Sequence, residues 1–173
     1  DEIDKAPRDL PHDGLYALEN LEFNVPEANK TFRADPAQRP FVIMTSNSEK
    51  NLPEPFLRRV AFYHINFPDD KTLLRILQSK TDGYTEAQLQ PLVKLFEKIR
   101  TGRKTKLKKN PATAELLNWV DLLRRLGFDP SELTGTLTAG GKEKLELSWS
   151  VLAKNKEDLE LLKNLNVAGL SLA

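Results

Sequence analysis

The apolar runs dense enough to be β-strands all lie in the first 67 residues, and from Asp69 onward apolar residues recur only at helical spacing. This division constrains the fold, because strands can be drawn only from the first part and the remainder must bury its stripes helix against helix. Phe41-Val42-Ile43-Met44 is an unbroken apolar run that ends in Thr45-Ser46-Asn47. Such a run has the pattern of a strand covered on both faces within a parallel sheet. Phe62 to Phe67, closed by Pro68, reads as a further strand. Upstream, Leu10, Leu15, Leu18 and Leu21 stand near helical spacing, with Pro11 acceptable in a first turn. Phe23 and Val25 alternate with polar neighbours, as does Thr31-Phe32-Arg33 across the polar segment Glu27 to Lys30, which predicts a short hairpin. A short helix is expected from Glu54 to Arg59, between prolines and the second apolar run.

The second part predicts helices at Lys71 to Lys80, Thr85 to Arg100, Pro111 to Leu126, Lys142 to Ala153 and Lys156 to Leu165. The third has the fullest signals, with Asn110 as N-cap, Pro111 in the first turn and Gly127 as the stop. Pro91 is expected to kink or split the second. Trp119 and Trp149 fall in predicted helices, where packing accounts for them. The fold class expected is therefore α/β plus all-α, with residues 1–68 a mixed layer containing parallel strands and residues 69–173 a helical domain.

With 39% hydrophobic residues among 173, the chain can build a core. Its 26 Lys and Arg against 25 Asp and Glu leave a net charge of +1, so no global field draws it to nucleic acid or anionic membrane. Cysteine is absent, which excludes disulfides, thiolate metal sites and thiol nucleophiles. No apolar stretch approaches the about 20 residues of a membrane span, and no signal peptide opens the chain, so a cytoplasmic setting is expected. The opening Asp1-Glu2-Ile3-Asp4-Lys5 has no initiator Met and reads as the interior of a longer protein.

Several polar motifs stand in a fixed order along this framework. Asp1-Glu2-Ile3-Asp4-Lys5-Ala6-Pro7-Arg8-Asp9 comes first, then Thr45-Ser46-Asn47-Ser48-Glu49-Lys50-Asn51-Leu52-Pro53, then Phe56-Leu57-Arg58-Arg59. Pro111 to Trp119 and Leu152 to Leu159 follow in the helical part. The ordered set resembles the MoxR-type branch of the AAA+ ATPases, from the end of the Walker B strand through the helical lid, over nearly the whole chain. The resemblance implies the C-terminal portion of a P-loop NTPase core (1–68) followed by a lid (69–173).

It also implies roles. Asp1 would hold Mg²⁺ through water, in keeping with that ion's preference for hard oxygen ligands, and Glu2 would polarise the water that attacks the γ-phosphate of ATP. Asn47 would be sensor 1, an amide contacting the γ-phosphate or that water. Arg59 would be the arginine finger acting on a neighbouring subunit, with Arg58 in reserve. The intact parent would be a homo-hexameric ATPase that remodels or activates a protein client, often one with a von Willebrand factor A domain, and the Phe23 to Arg33 hairpin would project toward that client. The plainer alternatives are that Asp1 and Glu2 cap a helix, that Asn47 forms a turn and that the Arg pair is solvated.

The sequence departs from the family pattern in two places. The sensor 2 arginine of many relatives is matched here by Ala114, and Gly-x-x-x-x-Gly-Lys-Ser/Thr occurs nowhere in the 173 residues. Without that phosphate cradle these residues alone are expected to be inactive. Gly135 to Glu143 imitates the motif only in composition, since Gly141 displaces Lys142 and Glu143 replaces the hydroxyl, and it is expected to be a loop.

Six cations crowd positions 100–109 (Arg100, Arg103, Lys104, Lys106, Lys108 and Lys109), but no aromatic is interleaved to stack a base. A solvated loop is favoured there over a nucleic-acid site. His12 and His64 stand 52 positions apart and form no local zinc motif. Two alternatives to the ATPase reading stay open: a non-hydrolysing protein-interaction module, and nucleic-acid binding through the basic run.

Overall fold

The computed structural model describes residues 1–7, 10–47, 52–102 and 106–167. Arg8-Asp9, Ser48 to Asn51, Arg103-Lys104 and the side chain of His12 lie outside the described residues. The chain forms two compact units, Asp1–Ile65 and Asn66–Ala173.

In the first unit a 3₁₀ turn (Ile3–Lys5) precedes helix α1 (Leu10–Asn20), strands β1 (Glu22–Val25) and β2 (Lys30–Arg33), and the short helix α2 (Glu54–Leu57). The hairpin forms across the expected turn, with Glu22 opposite Arg33, Phe23 opposite Phe32, Asn24 opposite Thr31 and Val25 opposite Lys30. Its two faces differ in chemistry. Glu22 and Arg33 form an ion pair at 2.7 Å on one side, while Phe23 and Phe32 stack at 5.1 Å on the other. Asn29 takes the left-handed conformation at the turn (φ 48°), which asparagine tolerates better than most residues. α1 packs on β1 and α2, and among the described residues Leu15 and Phe56 are the buried apolar side chains of the unit.

The parallel-stranded P-loop core expected for residues 1–68 is not formed. Among the described residues the single sheet is the two-stranded antiparallel hairpin, and the rest of the regular structure is helical. Phe41 to Met44 and Phe62 to Phe67 have no strand assignment, and Phe41 is 92% and Tyr63 84% exposed. A continuous apolar run signals a strand only when neighbours can bond both its edges and cover both its faces. Here Phe41 to Met44 has no ladder partner, so composition favoured a strand that tertiary context does not supply. His64 accordingly lies in irregular chain rather than in a strand.

The second unit is helical: α3 (Asp70–Lys80), α4 (Glu86–Thr101), α5 (Thr113–Arg125), α6 (Ala139–Leu152) and α7 (Lys156–Lys163). α4 buries Leu89, Leu92, Val93, Leu95, Phe96 and Ile99, and it runs through Pro91 as one helix rather than splitting there. Its neighbours α3 and α5 bring Leu73, Leu77, Leu116, Trp119, Val120 and Leu123 into the same core. Between α5 and α6 the indoles of Trp119 and Trp149 stack at 5.9 Å, and Trp119 Nε1–H donates to the buried Ser148 hydroxyl at 2.8 Å. Ser148 in turn donates to the Leu145 carbonyl, so neither buried polar group lacks a partner.

The helix ends follow local rules with two changes. α5 starts at Thr113 rather than Pro111, and the Glu115 carboxylate, not Asn110, receives the Ala112 N–H at 3.0 Å. It stops at Gly127 as expected: this residue has φ 63°, its N–H bonds the Arg124 carbonyl and the Phe128 N–H bonds the Leu123 carbonyl. The expected loop from Gly135 to Glu143 becomes helix at Ala139, capped by the Thr138 hydroxyl on the Gly141 N–H. A Cβ at Gly141 would collide with the Glu132 carboxylate, which receives both the N–H and the hydroxyl of Thr138. That glycine serves close packing, not a phosphate.

The described part of the basic run is not a free loop either. Leu107 is buried, and the backbone N–H groups of Lys108 and Lys109 donate to the buried Asp158 carboxylate at 2.8 and 3.2 Å. Asn155 caps α7 and donates its amide to the same carboxylate at 2.7 Å. Burial pushes the Asp158 carboxyl up, but these donors outweigh it and hold it below its ordinary 3.8. Asp158→Ala leaves the two amides unsatisfied and should lower the unfolding free energy by about 1–3 kcal/mol, read as a lower urea midpoint at unchanged m. Because the folded-state pKa is depressed, the contribution is complete above the ordinary 3.8 and is lost as pH falls through the folded value. The gap between wild type and Asp158→Ala should therefore be constant near neutrality and close in acid.

Candidate functional site

Two segments of the first unit that are more than 40 residues apart in sequence are joined by a set of hydrogen bonds. The Ile3 N–H bonds the Thr45 carbonyl at 2.9 Å, and the Glu2 N–H bonds the Thr45 hydroxyl at 3.0 Å. That hydroxyl donates to the Asp1 carboxylate. Farther along, the Asn47 amide Nδ2–H donates to Glu2 Oε1 at 2.7 Å, and the Asn47 backbone N–H donates to Asp4 Oδ1 at 3.2 Å. The arrangement brings Asp1, Glu2 and Asn47, three residues singled out in the sequence, into one cluster. It adds Thr45 and Asp4, which the sequence reading did not single out.

The local backbone explains why this contact is built from so many bonds. Glu2 is left-handed at φ 53° and ψ 49°, a conformation that disfavours a non-glycine residue by about 1–2 kcal/mol. Thr45 holds its N–H and Asn47 holds its carboxylate, so the conformation is specified from both sides. Lys5, one turn on, adds an ammonium at 2.9 Å from the same Glu2 oxygen. Both partners are half-exposed, so this ion pair contributes at most about 1 kcal/mol.

Arg58 and Arg59 follow α2, and neither is bonded to that cluster among the described contacts. Arg58 pairs with Glu54 one turn back, and Arg59 Nε lies 3.1 Å from Glu19 at the end of α1. Ala114 occupies the first turn of α5 in the second unit, exposed and without a polar side chain.

The donor set is chemically selective. Asp1, Glu2 and Thr45 present hard oxygens, the ligands Mg²⁺ accepts, and Mg²⁺ takes one or two carboxylates with water and phosphate rather than a full protein cage. A carboxylate beside a carboxamide can accept a proton from a water while the amide fixes the position of that water.

The second unit offers a different concavity, about 570 Å³, lined by Phe67, Asp69, Asp70, Lys71, Glu97 and Arg100 among others. Two of its polar side chains are already engaged. Asp69 caps α3 through the Thr72 N–H, while Arg100 lies 3.4 Å over the Phe67 ring and donates to the Pro111 carbonyl. Burial, then the nearby Asp70, push the Glu97 carboxyl up. Arg100 of the basic run lines this cavity, whereas Asp1, Glu2, Asn47, Arg58 and Arg59 do not.

Comparison of the chain with protein-family models, with curated proteins and with solved structures finds no match. Among the described residues no helix is long and apolar enough to cross a membrane.

The Thr45 hydroxyl is the hinge of the cluster, serving the Glu2 N–H and the Asp1 carboxylate at once. Thr45→Val keeps the shape and removes both bonds. Hydrogen exchange at the Glu2 amide should accelerate by about tenfold, the equivalent of one ordinary hydrogen bond.

Proposed function

We propose that this chain supplies the water-activating edge of a Mg²⁺-dependent ATPase of the MoxR type, which couples ATP hydrolysis to the remodelling or activation of a protein client. The observation that carries the reading is the 2.7 Å hydrogen bond from the Asn47 amide to the Glu2 carboxylate, made across 45 positions of sequence onto a residue held in a left-handed backbone. A surface Glu and a turn-forming Asn have no need of each other, whereas a general base and the amide that orients its water do.

In this reading Glu2 accepts the proton of the attacking water, and Asn47 fixes that water or the γ-phosphate it approaches. Asp1, oriented by Thr45, would hold Mg²⁺ through water, and the ion when bound would neutralise phosphate charge. Arg59 would act on the nucleotide of a neighbouring subunit in a homo-hexameric ring. Its pairing with Glu19 is a half-exposed one, contributing at most about 1 kcal/mol, so a phosphate displaces it readily. Arg58, committed to Glu54, is the reserve.

The client would be a folded protein, a von Willebrand factor A domain being the kind the resemblance suggests, and the hairpin would meet it. Phe23 and Phe32 are stacked yet remain 54% and 50% exposed, and an aromatic pair left in water on a hairpin suits contact with another protein. The same pair favours a second reading, a docking module that binds partners without turnover.

Three experiments in the full natural chain that carries these residues test the reading. Glu2→Gln should lower ATP turnover by at least about a hundredfold. Arg59→Ala should lower it comparably, and mixing the two inactive chains should restore turnover, because composite sites with an intact Glu2 and an intact Arg59 then form. Turnover indifferent to Glu2→Gln would leave the docking module as the reading. Phe23→Ser with Phe32→Ser should abolish client remodelling while basal hydrolysis persists, and equal loss of both would remove the hairpin from the account.

A further inference from the structure

We infer that Asp4 is the positioning residue of this site, fixing through the Asn47 backbone where the Asn47 amide meets Glu2. The inference rests on the ATPase reading of Glu2 and Asn47. Among the described residues of the first unit Asp4 is the buried charged one, 3% exposed, while Glu2 and Asn47 beside it reach solvent. It sits in the 3₁₀ turn Ile3–Lys5, two residues after Glu2, and accepts the Asn47 N–H at 3.2 Å.

Carboxylates are seldom buried, because removing one from water is unfavourable unless hydrogen bonds replace the lost hydration. The Asn47 N–H is one of the groups that replace that hydration, and the bond fixes the Asn47 backbone to the turn that carries Glu2. Asn47 is gripped by its backbone from Asp4 and grips Glu2 with its side chain, so the turn that carries the base also holds the residue that orients it. Thr45, two positions earlier, ties the same two segments through Ile3 and Glu2. Asp4 adds a hold on the Asn47 backbone to the one its side chain makes with Glu2, so both ends of that residue are fixed.

The test compares two isosteres in the full natural chain: Asp4→Leu, which keeps the shape and removes the acceptor, and Asp4→Asn, whose side-chain carbonyl can still accept. Asp4→Leu should lower kcat for ATP on the order of tenfold to a hundredfold with KM changed by less than about twofold, the pattern of a misplaced catalytic pair rather than lost substrate binding. Hydrogen exchange at the Asn47 amide should accelerate in the same variant. Asp4→Asn should restore most of both. If Asp4→Leu does not fold, Asp4→Ala is read in its place, and if neither folds Asp4 is a folding residue and the inference fails. It fails equally if kcat is unchanged in Asp4→Leu while Glu2→Gln abolishes turnover, an outcome that leaves the ATPase reading intact. Parallel loss in the Leu and Asn variants also overturns it, since the acceptor would then not be what matters. Turnover that survives Glu2→Gln overturns the ATPase reading and this inference together.

Discussion

The burial demand of helix α4 organises the larger unit. Six apolar side chains and Pro91 lie buried on it, spread over more than one narrow stripe, so a single partner helix cannot cover them. α3 packs along one side, the segment Pro130–Leu133 along another, and their own buried leucines extend the core toward α5 and α6. The stacked indoles of Trp119 and Trp149 then close the α5–α6 contact, with Ser148 placed where the Trp119 N–H needs an acceptor. Even the basic segment after α4 is drawn in, because Leu107 joins the core and Asp158 fastens the two amides that follow it.

The first unit is held by a different kind of force. Its buried apolar side chains are few, and the 1–4 and 45–47 segments are instead joined by hydrogen bonds that alternate between backbone and side chain. Such bonds are directional, so they specify orientation more sharply than apolar contact does. The general base and orienting amide proposed for Glu2 and Asn47 would require that kind of specification. The strained Glu2 backbone belongs to the same economy, since an unfavourable conformation persists only where its surroundings determine it from several directions.

Much of the helical part was legible. Apolar spacing marked the stripes of α3 to α7, and Gly127 announced the end of α5 because only a residue at ease with positive φ can carry that turn. Starts were less legible: Asn110 and Pro111 carry the right chemistry, but the Glu115 side chain reached back to Ala112 and moved the start two residues on. Phe41 to Met44 misled because an apolar run records a need for cover, not the presence of it, and the neighbours that would cover it are a matter of tertiary assembly. At the site, Asp1, Glu2 and Asn47 stood out by residue type and order. Thr45 could have been suspected as the first polar residue after an apolar run, whereas nothing local distinguishes Asp4 from any other acidic residue in a turn.

By itself the sequence determined where helices could form, where the hairpin turns, and which chemistries are impossible for want of cysteine. Those properties depend on spacing, on φ preference and on side-chain inventory, all of which are written locally. The tertiary structure decided which apolar runs stay exposed, and that Asp4 and Thr45 bind Glu2 to Asn47. Those outcomes depend on contacts across 42 to 45 positions, where the distance between two groups is set by the packing of everything between them.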